Sequence, residues 1–387
     1  MTRRGYSAID LFSGAGGLAE GFRRASFHTS AANDIDPDAA ATFQRNFPEA
    51  AFFPQPIEDL SADMLLEAAC LKSGELDVLL GGPPCQAFSV YNHQRGFHDE
   101  RSGLFREYLR IVDALRPRIV VIENVTGMKD LGDGRAIREI HERLEQLGYA
   151  VEHRILKAEL YGVPQERRRI FFVASRVGSV RWPEATHGAG DDLFDTGRDP
   201  LVTVWEAIGD LPLLHNGEGT DELRAYTRKA RTDYQKLMRD GSAGVRNHLA
   251  PQLAPINLRR LQHIAPGGSW RDLPYDLLPA GMKRARRSDH TKRYGRLHQE
   301  GLASTILTKC DPHWGSFFHP EQDRAITVRE AARLQSFPDT FVFLGSRGRQ
   351  YVQVGNAVPP LLAHAVAKAV RGMLRAERSS RRTAVAI

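Results

Sequence analysis

The sequence predicts an α/β fold, a doubly wound and mostly parallel sheet, with a smaller irregular domain attached. Three observations lead there. Through the first half of the chain, short apolar runs alternate with helical stretches, the pattern of parallel strands joined by helices that cover both faces of a sheet. The first run passes straight into a cluster of glycines that opens a helix. Beyond residue 180, proline, glycine and charged residues break up the apolar periodicity and the alternation stops. A chain of 387 residues has room for both parts, since single cores usually stop growing at about 250 to 300 residues.

Taken in order, Ser7 to Phe12, Leu76 to Leu80, Ile119 to Ile122 and Ile170 to Ala174 are the clearest strands. Helices are predicted at about 16 to 25, 37 to 46, 102 to 115 and 134 to 147, the last closed by Gly148. The first domain spans 1–179 and the irregular one 180–303. Within the latter, short helical stretches fall near 221 to 239 and 255 to 264. Lys283, Arg284, Arg286, Arg287, Lys292, Arg293 and Arg296 then face only Asp289 and Glu300, which makes a local basic patch. Residues 304–375 return to the first domain, with helices from Val328 to Gln335 and from about Pro360 to Arg375. Residues 376–387, rich in Arg and Ser, read as a frayed basic tail.

A hydrophobic fraction of 42% and a charged fraction of 26% exclude a disordered or fibrous chain. The net charge of +6 and the pI near 9.3 draw the protein towards polyanions, nucleic acid above all. No window reaches the roughly 18 apolar residues of a membrane span, and Met1 to Tyr6 leads into a strand rather than a signal peptide, so a cytoplasmic protein without membrane contact is expected. Cys70, Cys85 and Cys310 are too scattered for a zinc site or a disulfide framework, and no metal is expected. Any cysteine chemistry rests on one thiol.

Two stretches carry chemistry. Asp10 to Gly17 is a strand that ends in glycines, which lets backbone N–H groups approach a nucleotide-like ligand, and Asp34, about twenty residues on, is placed for ribose hydroxyls. No phosphate-binding loop ending in Gly-Lys-Ser/Thr occurs, so a nucleoside without a triphosphate fits better than ATP. Gly81, Gly82, Pro83 and Pro84 carry Cys85 on a stiff loop at a strand's carboxyl end. A buried filler cysteine needs no such loop, whereas a nucleophile gains from reduced freedom before it reacts.

Together, Pro83-Pro84-Cys85-Gln86 and the opening Asp10 to Gly17 resemble the DNA cytosine-5 methyltransferase family of the prokaryotic, restriction-modification type. The family's other motifs follow in order: Glu123-Asn124-Val125, Gln165 to Arg169, Arg329 to Pro338, and Gly355-Asn356-Ala357-Val358. The resemblance covers nearly everything outside 180 to 300. It implies a Rossmann-like, S-adenosylmethionine-dependent catalytic domain, a target-recognition domain over 180–303, duplex DNA as substrate and S-adenosylhomocysteine as product.

The roles it implies agree with elementary chemistry. A cytosine ring is a poor electrophile acceptor until a nucleophile adds at C6 and pushes density onto C5, the inferred task of Cys85. Glu123 would offset the resulting charge at N3, and Arg167 with Arg169, alternating about Arg168, would hold the base's O2 and a phosphate. For the cofactor, Phe12 would stack on adenine, Gly14, Ala15, Gly16 and Gly17 would approach the methionine part, Asp34 would take the ribose, and Asp10, Ile35, Ile57, Asn356 and Ala357 would complete the pocket. Pro56 stands where the family commonly has an acid near the adenine amine, leaving Glu58, Asp59 or backbone atoms as substitutes. Gln86, Ser89 and Tyr91 would grip the flipped nucleotide, under a loop from Val90 to Arg101 hinged at Gly96. Arg284, Arg286, Arg287, Lys292 and Arg293 suit phosphates, and Trp270, His313 and Trp314 are candidate sequence readers by residue type.

A nicotinamide oxidoreductase would use the glycines but leaves Cys85, Glu123 and the arginines without a task. The tRNA-methylating branch of the family shares the chemistry, but its Cys-Phe-Thr element is missing here. An inactive relative would not be expected to keep both Cys85 and Glu123. A monomeric enzyme, with a cognate restriction endonuclease acting at the same site, is the expectation.

Overall fold

The computed structural model describes residues 5–84, 103–130, 134–188, 197–309 and 311–385. Cys85, Gln86, Ser89, Tyr91, the 90–101 loop with Gly96, and Cys310 lie outside the described residues.

Seven strands form the main sheet: β1 (Tyr6–Leu11), β2 (Phe27–Asn33), β3 (Ala51–Phe53), β4 (Val78–Gly81), β5 (Ile119–Val125), β6 (Ala150–Lys157) and β7 (Arg168–Ser175). The helices are α1 (Gly17–Arg24), α2 (Pro37–Asn46), α3 (Ala62–Ala69), α4 (Leu104–Leu115), α5 (Arg135–Gln146), α6 (Val204–Ile208), α7 (Asp233–Arg239), α8 (Pro255–Leu261), α9 (Val328–Leu334), α10 (Arg347–Asn356) and α11 (Pro360–Val385). The chain divides into two compact units, one of residues 1–157, 168–184 and 358–387, the other of 158–167 and 185–357.

In the first unit the strand order is β3-β2-β1-β4-β5-β7-β6. Strands β3 to β5 run parallel, and β7 runs antiparallel to both β5 and β6. The sheet is therefore doubly wound and mostly parallel, as the alternation predicts. The central strands are buried on both faces, which explains the continuous apolar runs that made them legible. One face, with Ile9, Leu79, Val120 and Phe172, packs on Leu65 of α3, Tyr108 and Ile111 of α4, and Ile140 of α5. Helix α1 packs on β2 and β4, with α11 against it. The α1–α11 approach is close: a Cβ on Gly21 would lie 2.3 Å from the Ala363 Cβ and 2.6 Å from the Pro360 carbonyl oxygen.

Several expectations are corrected. Helix α11 continues to Val385, so the expected frayed tail is helical in the described part. Its charged residues find partners, Arg371 donating to the Ala25 carbonyl (3.1 Å), Glu377 pairing with Arg118, and Arg378 lying over the Tyr6 ring. The helix expected over 221 to 239 begins only at Asp233, where Thr232 and Gln235 form a capping box. Helix α10 was not foreseen.

In the second unit the Arg329 to Pro338 stretch forms α9 and its exit, with Arg329, Glu330 and Arg333 at most 1% exposed. Arg324 grips Glu330 with two hydrogen bonds (2.8 and 2.6 Å), and Arg333 grips Asp339 with two of 2.6 Å. Burial pushes the Glu330 carboxyl up, but Arg324 outweighs it and holds the group well below the ordinary range, with help from His319 and His248. The motif is a buried ionic brace.

Candidate active site at the carboxyl edge of the sheet

The strand order reverses between β1 and β4, which pair with Leu11 opposite Gly81. Open α/β sheets bind ligands in the crevice beyond the carboxyl ends of strands at such a switch point. Both chemistry-bearing loops leave from it, the glycines after β1 and the prolines after β4. Gly81 has no alternative, because a Cβ there would lie 2.3 Å from the buried Tyr108 ring, whose hydroxyl donates to the Leu79 carbonyl at 3.2 Å.

Glu123 ends up beside the β4 exit because β4 and β5 run in register, Gly81 opposite Ile122. A Cβ on Gly82 would sit 3.3 Å from Glu123 Oε2, so the glycine backbone lies directly against this carboxylate. Asn124, to which the sequence reading gave no role, donates from Nδ2 to the Pro83 carbonyl at 2.9 Å and so fixes the backbone two residues before Cys85. Its place beside Glu123 in the Glu-Asn-Val motif was the available signal.

Arg169 reaches the same edge for a topological reason. Since β7 is antiparallel, its first residues lie at the carboxyl end of β5, Arg169 opposite Val125 and Phe171 opposite Glu123. Arg169 and Glu123 are then diagonal neighbours on one face, and Arg169 Nε meets Glu123 Oε1 at 2.9 Å. Burial pulls the guanidinium pKa down and the Glu123 charge partly offsets this, yet arginine stays charged. Arg168 between them is exposed.

Arg167 departs from the expected role. It is 1% exposed, in the second unit, and donates to the carbonyls of Ile306 (3.3 Å), Gly355 (2.8 Å) and Ala357 (3.0 Å). Gln165 and Gln335 extend the clamp, Gln335 Nε2 donating to the Ala357 carbonyl at 2.6 Å. Its charge is spent on three backbone oxygens, so Arg167 braces the Gly355-Asn356-Ala357 turn rather than offering a hand to a base.

The cofactor candidates sort into two layers. Phe12 and Gly14 are partly exposed, Ile35 is 67% exposed, and nothing lies within 4 Å of a Cβ built on Gly14. Asp34 Oδ2 accepts the Gly14 N–H at 2.7 Å and Oδ1 the Asp36 N–H at 2.9 Å, tying the loop to the end of β2. Beneath, Ala15, Gly16, Gly17 and Ile57 are buried. Gly16 is demanded by packing, since it has φ +101° and a Cβ there would lie 2.7 Å from the Phe47 ring. Asp10 is fully buried and neither oxygen has a hydrogen-bond partner among the described residues. Burial pushes its pKa up to about 8, reinforced by Asp34 and opposed by the Ala19 N–H, which faces it outside hydrogen-bonding geometry.

An open glycine cradle, an exposed apolar side chain and a tethered acid fit an adenosyl ligand. On the β3 side, Asn33 Nδ2 donates to the carbonyls of Phe53 (2.8 Å) and Gln55 (2.7 Å), setting the loop that carries Pro56. Glu58 and Asp59 there are exposed. In the second unit Asn356 is exposed and Ala357 half-buried.

Of the basic patch, Arg284, Arg286, Arg287 and Lys292 are exposed and Arg293 half-buried. Arg296 leaves the patch, its Nε donating to the carbonyls of His319 and Pro320 at 3.1 Å each. Trp270 is core, 3% exposed with its Nε1 donating to the His290 carbonyl. Among the described residues no group of three or more His, Cys, Asp or Glu could hold a metal, and no helix is long and apolar enough to cross a membrane.

The sequence matches the C-5 cytosine-specific DNA methylase family over residues 6–372. The type II methyltransferase M.AgeI of Thalassovita gelatinovora is 35% identical, with 94% of this chain and 98% of that protein covered. M1.HphI of Haemophilus parahaemolyticus is 38% identical, covering 94% and 86%. A solved putative DNA modification methyltransferase encoded within an E. coli prophage is 25% identical, with a TM-score of 0.73 over 96% of this chain and 99% of that one. Spodoptera frugiperda DNMT2 is alike in fold, with a TM-score of 0.57 at 17% identity over 95% and 99%.

Proposed function

Since this chain belongs to the C-5 cytosine-specific DNA methylase family, we propose that it methylates one cytosine within a short duplex site, with Cys85 as nucleophile and Glu123 and Arg169 as the groups that hold the reacting base. The observation that carries the reading is the Glu123–Arg169 pair against Gly82, at the strand end from which Pro83 and Pro84 lead to Cys85.

The target cytosine turns out of the stack, because addition at C6 and methylation at C5 come through the ring faces, which stacked neighbours cover inside a duplex. The Cys85 thiolate adds to C6 and the ring electrons move towards C5, with charge building at N3 and O2. Glu123 stabilises N3, and Arg169, which pairs with Glu123, holds O2. S-adenosylmethionine, whose use the family and fold imply, supplies an electrophilic methyl group on a sulfonium. Once C5 carries the methyl group, transfer of the C5 proton to a water base breaks the C6–S bond, frees the Cys85 thiolate and restores the aromatic ring.

In this reading Phe12, Gly14, Asp34 and Ile35 contact the adenosyl part, Asp10, Ala15, Gly16, Gly17 and Ile57 support them from below, and Asn356 and Ala357 contribute from the turn that Arg167 braces. Gln86, Ser89 and Tyr91 hold the flipped nucleotide. Residues 180–303 read the site, with Arg284, Arg286, Arg287, Lys292 and Arg293 on phosphates. The enzyme acts as a cytoplasmic monomer without a metal, and protects DNA against a cognate endonuclease, a role in keeping with its type II methyltransferase relatives.

The test is transfer of labelled methyl to mixed-sequence duplex DNA and to bulk tRNA, by wild type and Cys85→Ser in parallel, with base-resolution mapping. Label at C5 of cytosine in one short DNA motif, lost by at least about 1,000-fold in the variant, is expected. Label on tRNA alone would overturn the substrate, and full activity of Cys85→Ser would overturn the nucleophile.

A further inference from the structure

A short ladder of rings runs from the core of the second unit to its surface. Tyr294 is 5% exposed, and its hydroxyl lies 3.2 Å from His313 Nδ1. The His313 ring stands edge-on to both Tyr294 (centroids 5.8 Å apart) and Trp314 (5.2 Å). Trp314, at the outer end, is 45% exposed. It sits on a fixed turn rather than a loose arm, because its N–H donates to the Asp311 carbonyl (2.9 Å) and the His313 N–H to Asp311 Oδ1 (2.8 Å).

Two cations rest on the Trp314 ring, the Arg293 guanidinium 5.1 Å and the Lys309 ammonium 5.5 Å from its centroid. Among the described residues no carboxylate pairs with either. An exposed tryptophan bracketed by unneutralised cations is a costly way to build a surface but a suitable way to meet a polyanion that carries flat rings.

We propose that Trp314 is a direct DNA contact, its indole lying against a base while Arg293 and Lys309 move from the ring to flanking phosphates. An exposed cation–π contact is weak, whereas a phosphate contact releases condensed counterions, so the exchange runs towards DNA. The ring ladder anchors the indole to the core, so the contact also fixes register. This inference rests on the DNA methyltransferase reading and adds to it a DNA contact from the second unit, beyond residues 180–303.

The test is binding of a labelled duplex bearing the mapped site, in the presence of S-adenosylhomocysteine, across a salt series. Trp314→Ala is expected to weaken binding about 10-fold or more and Trp314→Phe less than about 3-fold, because phenylalanine keeps a stacking face. Arg293→Ala and Lys309→Ala should each lower the slope of log K against log salt by about 1. Cofactor affinity should be unchanged in all four. If wild type methylates DNA while Trp314→Ala binds the duplex within about twofold of it, the inference falls and the function stands. A wild type that methylates no DNA removes both. Should Trp314→Ala fold poorly, unchanged salt slopes in the two cation variants would overturn the proposal by themselves.

Discussion

Glu123 with Arg169 and Glu330 with Arg324 are the same chemical pair in two settings. At the sheet edge an Nε–Oε1 contact of 2.9 Å joins side chains that are 14% and 10% exposed. Around α9 a two-pronged grip joins side chains at 0% and 1%, and the same carboxylate also caps the helix by accepting the Thr327 N–H at 2.7 Å. The second pair is sealed from solvent and the first is not. A carboxylate proposed to meet a base stays within reach of solvent, whereas one that braces a helix is enclosed by the fold.

The largest effect separates the two by substitution. Glu330→Ala strands a buried guanidinium and should cost about 3 to 5 kcal/mol in denaturant unfolding, while Glu123→Gln should cost under about 1 kcal/mol yet slow methyl transfer about 100-fold or more. Equal destabilisation by both would erase the distinction.

A glycine pair in the loop proposed to cradle the cofactor sharpens it at smaller scale. Gly16→Ala meets the Phe47 ring at 2.7 Å and should lower stability by about 1 to 3 kcal/mol. Gly14→Ala has open space at φ +53° and should cost only about 1 kcal/mol, with the larger change in S-adenosylmethionine affinity measured by calorimetry. If Gly14→Ala bound the cofactor as wild type does, the loop would not be its cradle.

The smallest effect is a slope. Burial, with Arg324 opposing the Glu330 attraction, lowers the His319 pKa from 6.5 to about 3. Its Nδ1 already accepts the N–H groups of Glu321 (3.1 Å) and Gln322 (3.0 Å). Between these pH values the unfolded chain takes up the proton that the folded one refuses, so stability is full above about pH 6.5 and declines as pH falls towards 3. Melting temperatures across this window should fall less steeply in His319→Gln. An unchanged slope would assign the acid sensitivity elsewhere.

These contrasts also mark where sequence reading reached its limit. Strands β1, β4, β5 and β7 were legible because burial on both faces makes them continuous apolar runs. Strand β2, with Ser, Thr, Ala and Asn, and the charged edge strand β6 lack that signal. Helix α10 hides behind its glycines, and the end of α11 reads as frayed until its basic residues find their partners. Glu123 and Arg169 came from motifs at the right strand ends. Arg167 could not be assigned from spacing, since alternation gave its side but not its acceptors, which lie 139 to 190 residues away. The Arg329 to Pro338 motif likewise announces itself without saying that its charges all turn inward.

The close seating of Gly21 against Ala363 has a consequence for the order of events during synthesis. Helix α1, which leaves the glycine loop after β1, has α11 along its flank, and the Arg371–Ala25 contact joins residues 346 positions apart. As the chain emerges from the ribosome, β1 and its helix must wait, one flank bare, until α11 has been made. Methyl transfer should therefore switch on late and abruptly, when the closing helix docks, rather than grow as each motif appears.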